Sequence, residues 1–185
     1  GNKDVKWETV KKTNFGIDYG FMGGLITGSL EFFCNRLNDI MSFGDNRSIP
    51  SYFGTTAPTI NKGKVRTSGY ELELKLNKKF ANGIRLWGNI NMTHAKNKVL
   101  LKDDAQLTPN YQKEAGYSMG QYHSYIDRGF INDIDDLIGS PAHESNDNHR
   151  LVGDYYIVDF NGDGVVDSKD SAPVGYSSNP QNTYN

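Results

Sequence analysis

The sequence predicts an all-β fold of about four long antiparallel strands followed by a long, irregular loop region. Three observations carry this. Apolar residues alternate with polar ones over long runs, which is the period of a strand and not of a helix. The runs reach about fifteen residues, roughly 50 Å at about 3.3 Å each, where soluble strands average about 5–6 residues. The connections alternate between tight turns and long polar loops, the habit of outer-membrane barrels with short periplasmic turns and long extracellular loops. The strands are therefore read as part of a large outer-membrane β-barrel. A soluble β-sandwich with elongated hairpins has the same alternation and stays open on pattern alone.

The first strand begins near Trp7. Phe15, Ile17, Tyr19 and Phe21 share one face; Asn14, Gly16, Asp18 and Gly20 share the other. Met22-Gly23-Gly24 is a tight-turn signal. The second strand spans about Leu25 to Arg36, with Ile26, Gly28, Leu30, Phe32 and Cys34 on one side and Thr27, Ser29, Glu31 and Asn35 on the other. A loop over residues 37–64 follows, punctuated by Gly44, Pro50, Gly54, Pro58 and Gly63. The third strand, RTSGYELELKLNKKF, sets Tyr70, Leu72, Leu74, Leu76 and Phe80 against Glu71, Glu73, Lys75, Asn77 and Lys79. Ala81-Asn82-Gly83 turns the chain, Asn-Gly being a strong hairpin signal. The fourth strand runs from Ile84 to about Lys96. Residues 1–97 thus carry the membrane strands, and residues 98–185 read as an extracellular loop region ending in NPQNTYN with no element of its own. In a barrel the Leu72/Leu74 row faces lipid, and Glu71, Glu73 and Lys75 face a watery lumen; in a sandwich the same apolar row would face a core. The charged row reads as lumen solvation with cross-strand pairing, or as the lining of a solute path.

With 20 basic and 22 acidic residues the net charge is −2, so nucleic-acid binding has no electrostatic support. Cys34 is the single cysteine, which excludes an internal disulfide; it reads as a small strand residue. No apolar run approaches the roughly 20 residues of a membrane helix, which leaves a barrel untouched. The chain opens in a charged segment without a signal peptide and is expected to be a piece of a longer protein. No Ser/His/Asp set, phosphate-binding glycine loop or CxxC pair is present, so nothing argues for an enzyme.

VDFNGDGVVDSKD is the sharpest local motif. Asp159, Asn161, Asp163, Asp167 and Asp170 occupy positions 1, 3, 5, 9 and 12 of a twelve-residue calcium frame, Val165 offers its carbonyl at position 7, and Gly164 sits at position 6. These are hard oxygen donors suited to Ca2+. Pro173, Gly175 and Pro180 forbid the helix that follows such a loop in paired-helix calcium proteins. The expectation is a structural calcium staple at 159–170, set against an Asx-rich turn that caps its own backbone. His143, Glu144 and His149 do not match a zinc spacing and read as exposed residues of a mobile polar loop. Tyr111, Tyr117, Tyr122, Tyr125, Tyr155, Tyr156 and Tyr176 could stack on sugars or touch a covering protein, or pack the loops themselves.

Five blocks, in order, resemble the SusC/RagA family of TonB-dependent outer-membrane transporters: Trp7–Phe33, Asn61–Leu76, Asn91–Leu100, Gly116–Asp133 and Gly153–Gly175. Thr67-Ser68 and Ser118 depart from the family's usual residues. The resemblance implies a barrel of about 22 strands with a plug, energised through TonB by regions absent here. It implies a SusD-like surface lipoprotein as lid, glycan or peptide substrates, and a bacterial outer-membrane location in contact with lipid. Residues 1–185 would supply a late part of that barrel. The alternative is a soluble secreted β-sandwich, an adhesion or carbohydrate-binding module with a structural calcium site.

Overall fold

The computed structural model describes residues 3–43, 54, 58–105, 107–145 and 147–185. Four long strands come first: β1 (Thr9–Phe21), β2 (Ile26–Ser42), β3 (Ile60–Lys79) and β4 (Arg85–Leu101). Short elements follow: β5 (Gln121–Ser124), β6 (Asp127–Phe130), the single helical turn and a half α1 (Ile134–Gly139), β7 (Ala142–His143), β8 (Tyr155–Ile157), β9 (Val165–Val166), β10 (Ala172–Ser177) and β11 (Asn182–Tyr184). Two compact units result. The first contains residues 1–106, 114–120 and 178–185; the second contains residues 107–113 and 121–177.

The first unit is built on an antiparallel sheet in the order β1-β2-β3-β4-β11. Its register carries the sequence's alternation across every strand. Ile17 pairs with Leu30, Leu30 with Leu72, and Leu72 with Met92; the neighbouring row runs Tyr19, Gly28, Leu74, Ile90. Between these lie polar rows: Gly16, Glu31, Glu71, Thr93, and Asp18, Ser29, Glu73, Asn91. Directly paired residues share a face, so the sheet has one apolar face and one polar face. The apolar face lies open, with Phe15 at 63%, Ile17 at 52% and Ile90 at 58% exposure. The other sheets among the described residues are two-stranded pairs. Among the described residues the apolar rows lie exposed, as a lipid-facing barrel wall leaves them and a sandwich core does not.

The turns follow their chemistry. At Met22–Gly24 three successive residues hold positive φ, 53°, 63° and 89°, a conformation that two glycines make accessible. At the second hairpin the Gly83 N–H donates to the Phe80 carbonyl at 3.0 Å, and the Asn82 side chain accepts from Ile84 N–H at 3.2 Å. Gly28 has another role. A methyl group there would overlap the Glu73 carbonyl and the Tyr19 ring, because Tyr19 lies across Gly28 to donate its hydroxyl to Glu73 O at 3.0 Å. Phe33 covers Gly69 likewise on the opposite face.

The strands outrun their expected bounds at the loop end. Leu37–Ser42 and residues 60–64 belong to β2 and β3, so the loop expected over 37–64 is confined to residues 43–59, most of which lie outside the described residues. A break in register between Leu37 and Ile40, with Asp39 at φ 58°, marks a bulge there. β4 continues to Leu101 past the expected boundary at 97/98. The NPQNTYN end is not free of structure: Asn182, Thr183 and Tyr184 pair with His94, Thr93 and Met92 as a fifth strand. Residues 116–119 lie along the edge of β4 near its end. Val99 exchanges backbone bonds of 2.8 Å with Tyr117 O and Gly116 N, Asn97 accepts from Ser118 and Met119, and Val99 becomes buried. Asp103, also buried, meets the Lys62 ammonium at 2.8 Å.

The face assignment has a measurable consequence. In the full-length protein folded into bilayers, Leu74→Arg is expected to cost about 2–4 kcal/mol in urea unfolding, because it places a charge in hydrocarbon. Glu73→Gln, on the polar face, is expected to cost well under half of that. Equal costs for the two would remove the division into lipid and lumen faces.

Candidate functional site

Two regions carry chemistry: the polar face of the long sheet and the acidic loop of the second unit. On the polar face Glu31 and Glu71 stand directly opposite each other. Like charges so placed repel, and neighbours offset this: the Asn14 amide donates to Glu31 at 2.8 Å, and Lys75 meets Glu73 at 2.8 Å. Lys12, Asn14, Glu31, Phe33, Asn35 and Glu71 line one shallow groove. Toward the short turns Lys75, Asn77, Arg85, Trp87 and Asn89 line a second. Such a charged and amide-rich surface is hydrated by water and can contact polar solutes.

The acidic loop follows β8 and closes on itself. Asp159 accepts backbone N–H bonds from Gly162 (2.7 Å), Asp163 (3.2 Å) and Gly164 (2.6 Å). Asn161 accepts from Asp163 N–H at 2.8 Å, and Asp163 from Val165 N–H at 3.0 Å. Glycines 162 and 164, at φ 76° and 93°, let the backbone present these donors. Asp170 is wholly buried and accepts from the N–H groups of Phe160, Asn161 and Asp167 at 2.7, 3.1 and 2.8 Å. With Asp167 it forms a reciprocal cap on the 3-10 turn Ser168–Asp170. A carboxylate this buried is tolerated because three donors replace its water.

Asp159, Asn161, Asp163, Val165, Asp167 and Asp170 therefore come together in sequence frame and in space, but their oxygens turn to backbone donors. Among the described residues, no three Asp, Glu, His or Cys side chains converge as the shell of an ion demands. The positive charge at hand is Lys169, at position 11 of the frame. Its ammonium lies 2.8 Å from Asp167 and 3.6 Å from Asp163. The donor types suit calcium; their arrangement suits a turn with a built-in counter-ion. The -DSKD- order made Lys169 visible in the sequence, yet its position in space was not.

The loop is braced from afar. The Tyr111 hydroxyl donates to Lys169 O at 2.6 Å, Gln112 donates to Ser168 O at 2.8 Å, and the Tyr111 ring meets Phe160 edge-on at 4.7 Å. Burial and the carboxylates of Asp170, Asp167 and Asp163 push the Tyr111 phenol up. β7 pairs in parallel with β9, His143 opposite Val166. This corrects the expectation for the histidines. His149 is exposed, but His143 is half-buried and its pKa is lowered by that burial, then by Arg150. The described residues of PAHESNDNHR are also tied together by hydrogen bonds and an ion pair. Asp147 accepts from His143 N–H at 2.8 Å and pairs with Arg150 at 2.8 Å, while Arg150 also reaches Ser140 and Pro141 O. The tyrosines divide. Tyr155 stacks on Phe130 at 5.0 Å and Tyr156 lies 3.7 Å under Arg128, whereas Tyr122 and Tyr176 are open at 60% and 80%.

The Val165 N–H, then the Asn161 amide, hold the Asp163 carboxyl below the ordinary value of 3.8, and the Lys169 ammonium does the same for Asp167. A depressed carboxylate stabilises the fold above its unfolded value and loses that contribution as pH falls through the folded one. Lys169, raised above 10.5 by Asp167, contributes below 10.5 and is lost above its raised value. The contributions of Asp163, Asp167 and Lys169 are therefore present together well above pH 3.8 and well below pH 10.5. Titration of labelled Asp163 by NMR is expected to show a midpoint below 3.8; a midpoint at or above it would mean that the N–H bonds do not persist in solution.

Comparison with known proteins agrees with this geometry. The family described as TonB dependent receptor-like, beta-barrel matches residues 1–165. TonB-dependent receptor P3 of Formosa agariphila is 24% identical over 94% of this chain, and TonB-dependent receptor P26 of the same organism is 19% identical over 94%. The chain spans 18% of the length of each. The whole chain superposes on a fifth of a chain of the RagAB peptide importer, with TM-score 0.62 and 16% identity in its closed-closed state. In the open-open state the TM-score is 0.63 at 15% identity, over 19% of that chain. A wall of long antiparallel strands, apolar outside and polar inside, is what that fold consists of, and the chain belongs to the TonB-dependent receptor β-barrel family.

Proposed function

We propose that this chain forms part of the barrel wall of an outer-membrane transporter that imports glycans, peptides or other large nutrients beneath a SusD-like surface lipoprotein. The observation that supports it most is the alternation of apolar and polar rows across β1 to β4, from Phe15 to Phe21 and their cross-strand partners. Similarity to a peptide importer supports the import of oligomeric nutrients. The polar, charged face of the sheet is the lumen, and TonB acts through parts of the protein outside these residues. The short turns lie on the periplasmic side and the long connections on the cell surface.

In the full-length protein with its own cysteines, Cys34 included, replaced by Ser, single cysteines at Gly54 or Glu144 are expected to react with a membrane-impermeant maleimide on intact cells, and cysteines at Gly23 or Asn82 only after lysis. Labelling of both sets on intact cells overturns the topology. Deletion of the whole gene is expected to abolish growth on one polymeric nutrient while growth on its monomer persists.

A calcium staple in the acidic loop is a separate proposal, supported by the oxygen donors at positions 1, 3, 5, 9 and 12. Calcium there competes with the Lys169 ammonium for Asp163 and Asp167. Titration of the full-length protein is then expected to show tighter calcium binding for Lys169→Ala than for the wild type. No heat from either protein assigns closure of the loop to its hydrogen bonds.

A further inference from the structure

On the apolar face, the row Phe15, Phe32, Tyr70, His94 forms an aromatic band across all four long strands. Tyr70 stacks on His94 at 5.3 Å and lies 6.4 Å from Phe32. From Phe80, at the second hairpin, to Tyr70 is about 33 Å along the strand, or roughly 25 Å of height at a tilt near 40°, the thickness of a barrel's apolar band. The aromatic row therefore marks the outer interface, where such side chains collect. Two rows further out on the same face, about 13 Å along the strands, comes Lys11, Arg36, Arg66, Lys98. Lys11 pairs with Arg36, Arg36 with Arg66, and Arg66 with Lys98. Lys96, opposite Ser68 on the row between, adds a fifth cation.

Four like charges directly opposite one another over about 14 Å of sheet destabilise the sheet by themselves. Among the described residues none of the four forms an ion pair, and the Arg66 Nε is buried without a partner. Asp39, just beyond, is a single negative charge held by the Thr9 hydroxyl. An anion carrying several charges, in the plane just outside the hydrocarbon, satisfies this row. Planar guanidinium groups at its centre suit phosphate oxygens.

We propose that Lys11, Arg36, Arg66 and Lys98 form a docking strip for phosphorylated lipid headgroups of the outer leaflet, seating the barrel against specific lipids. The strip rests on the lipid-facing assignment of the apolar rows. Its test uses full-length protein in nanodiscs of zwitterionic phospholipid, with and without diphosphorylated lipid A, reading bound lipid A per barrel by native mass spectrometry. Lys11→Gln/Arg36→Gln/Arg66→Gln/Lys98→Gln is expected to weaken lipid A binding roughly fivefold for each charge removed. The lumen control Lys12→Gln/Lys75→Gln/Arg85→Gln is expected to bind as the wild type does. Should the fourfold variant not insert, Arg36→Gln/Arg66→Gln is expected to weaken binding by about the square of that factor.

Equal binding by wild type and outward variants overturns the strip. Loss of binding in the lumen control alone overturns the face assignment and the barrel reading with it. Displacement of lipid A by an equal concentration of inorganic phosphate makes the site one for free anions, against the proposal. An unchanged lipid A content with loss of a co-purifying acidic protein assigns the row to that protein, again against it.

Discussion

Every backbone N–H and C=O in the hydrocarbon layer must be paired within the protein, since the lipid supplies neither donors nor acceptors. For this chain that requirement falls on the ladders that join β1, β2, β3, β4 and β11. Once the ladders exist, their register decides which side chains meet which solvent. A shift of one residue in β3 would carry Glu71, Glu73 and Lys75 into lipid and Leu72, Leu74 and Leu76 into water. The paired rows, more than any buried core, therefore specify the first unit. Among the described residues its few buried side chains sit near the end of β4, where Gly116 and Tyr117 bond the Val99 backbone.

The second unit solves a different problem with the same means. It is poor in apolar burial: Ile131, Val166 and Ala172 are its buried hydrophobic residues. Order comes from polar side chains that accept backbone N–H groups, with Asp159, Asp163 and Asp170 each closing part of one turn. The burial of Asp170 shows how far this is carried. A carboxylate at the centre does what a leucine does elsewhere, because three N–H groups converge on it.

What the sequence revealed follows the physics of each region. Inside the membrane two solvents act on alternate residues, so period two was legible and the faces of Phe15 to Phe21, Tyr70 to Leu76 and Ile84 to Met92 could be assigned directly. Beyond the aromatic row the outward face carries Lys11, Arg36, Arg66 and Lys98 in place of apolar residues. Residues on both faces are polar there, as in Lys96 to Lys98, or the apolar residue has changed face, as Leu37 has between Arg36 and Asn38, and the strands ran on unseen through Ser42 and Leu101. β11 is three residues held by backbone bonds and left no pattern at all. In the acidic loop, residue types announced hard oxygen donors. The orientation of those donors depends on Lys169 and on Tyr111, 58 residues away from it in sequence, and so on tertiary context.

The Tyr19 hydroxyl reaches across Gly28 to the Glu73 carbonyl and so touches three strands at one point. Neighbouring strands can pair in more than one register unless their side chains forbid it. A ring that fits only over a residue without a side chain acts as a pawl: it drops into place when β1, β2 and β3 stand in one alignment and is held off by a side chain in the alignments beside it. Leu30 and Ile26, two positions away on either side, would both obstruct it. A single glycine thus converts a continuous slide into a discrete stop, and lets the wall check its own alignment as it is laid down, strand by strand, without help from any residue in the loops.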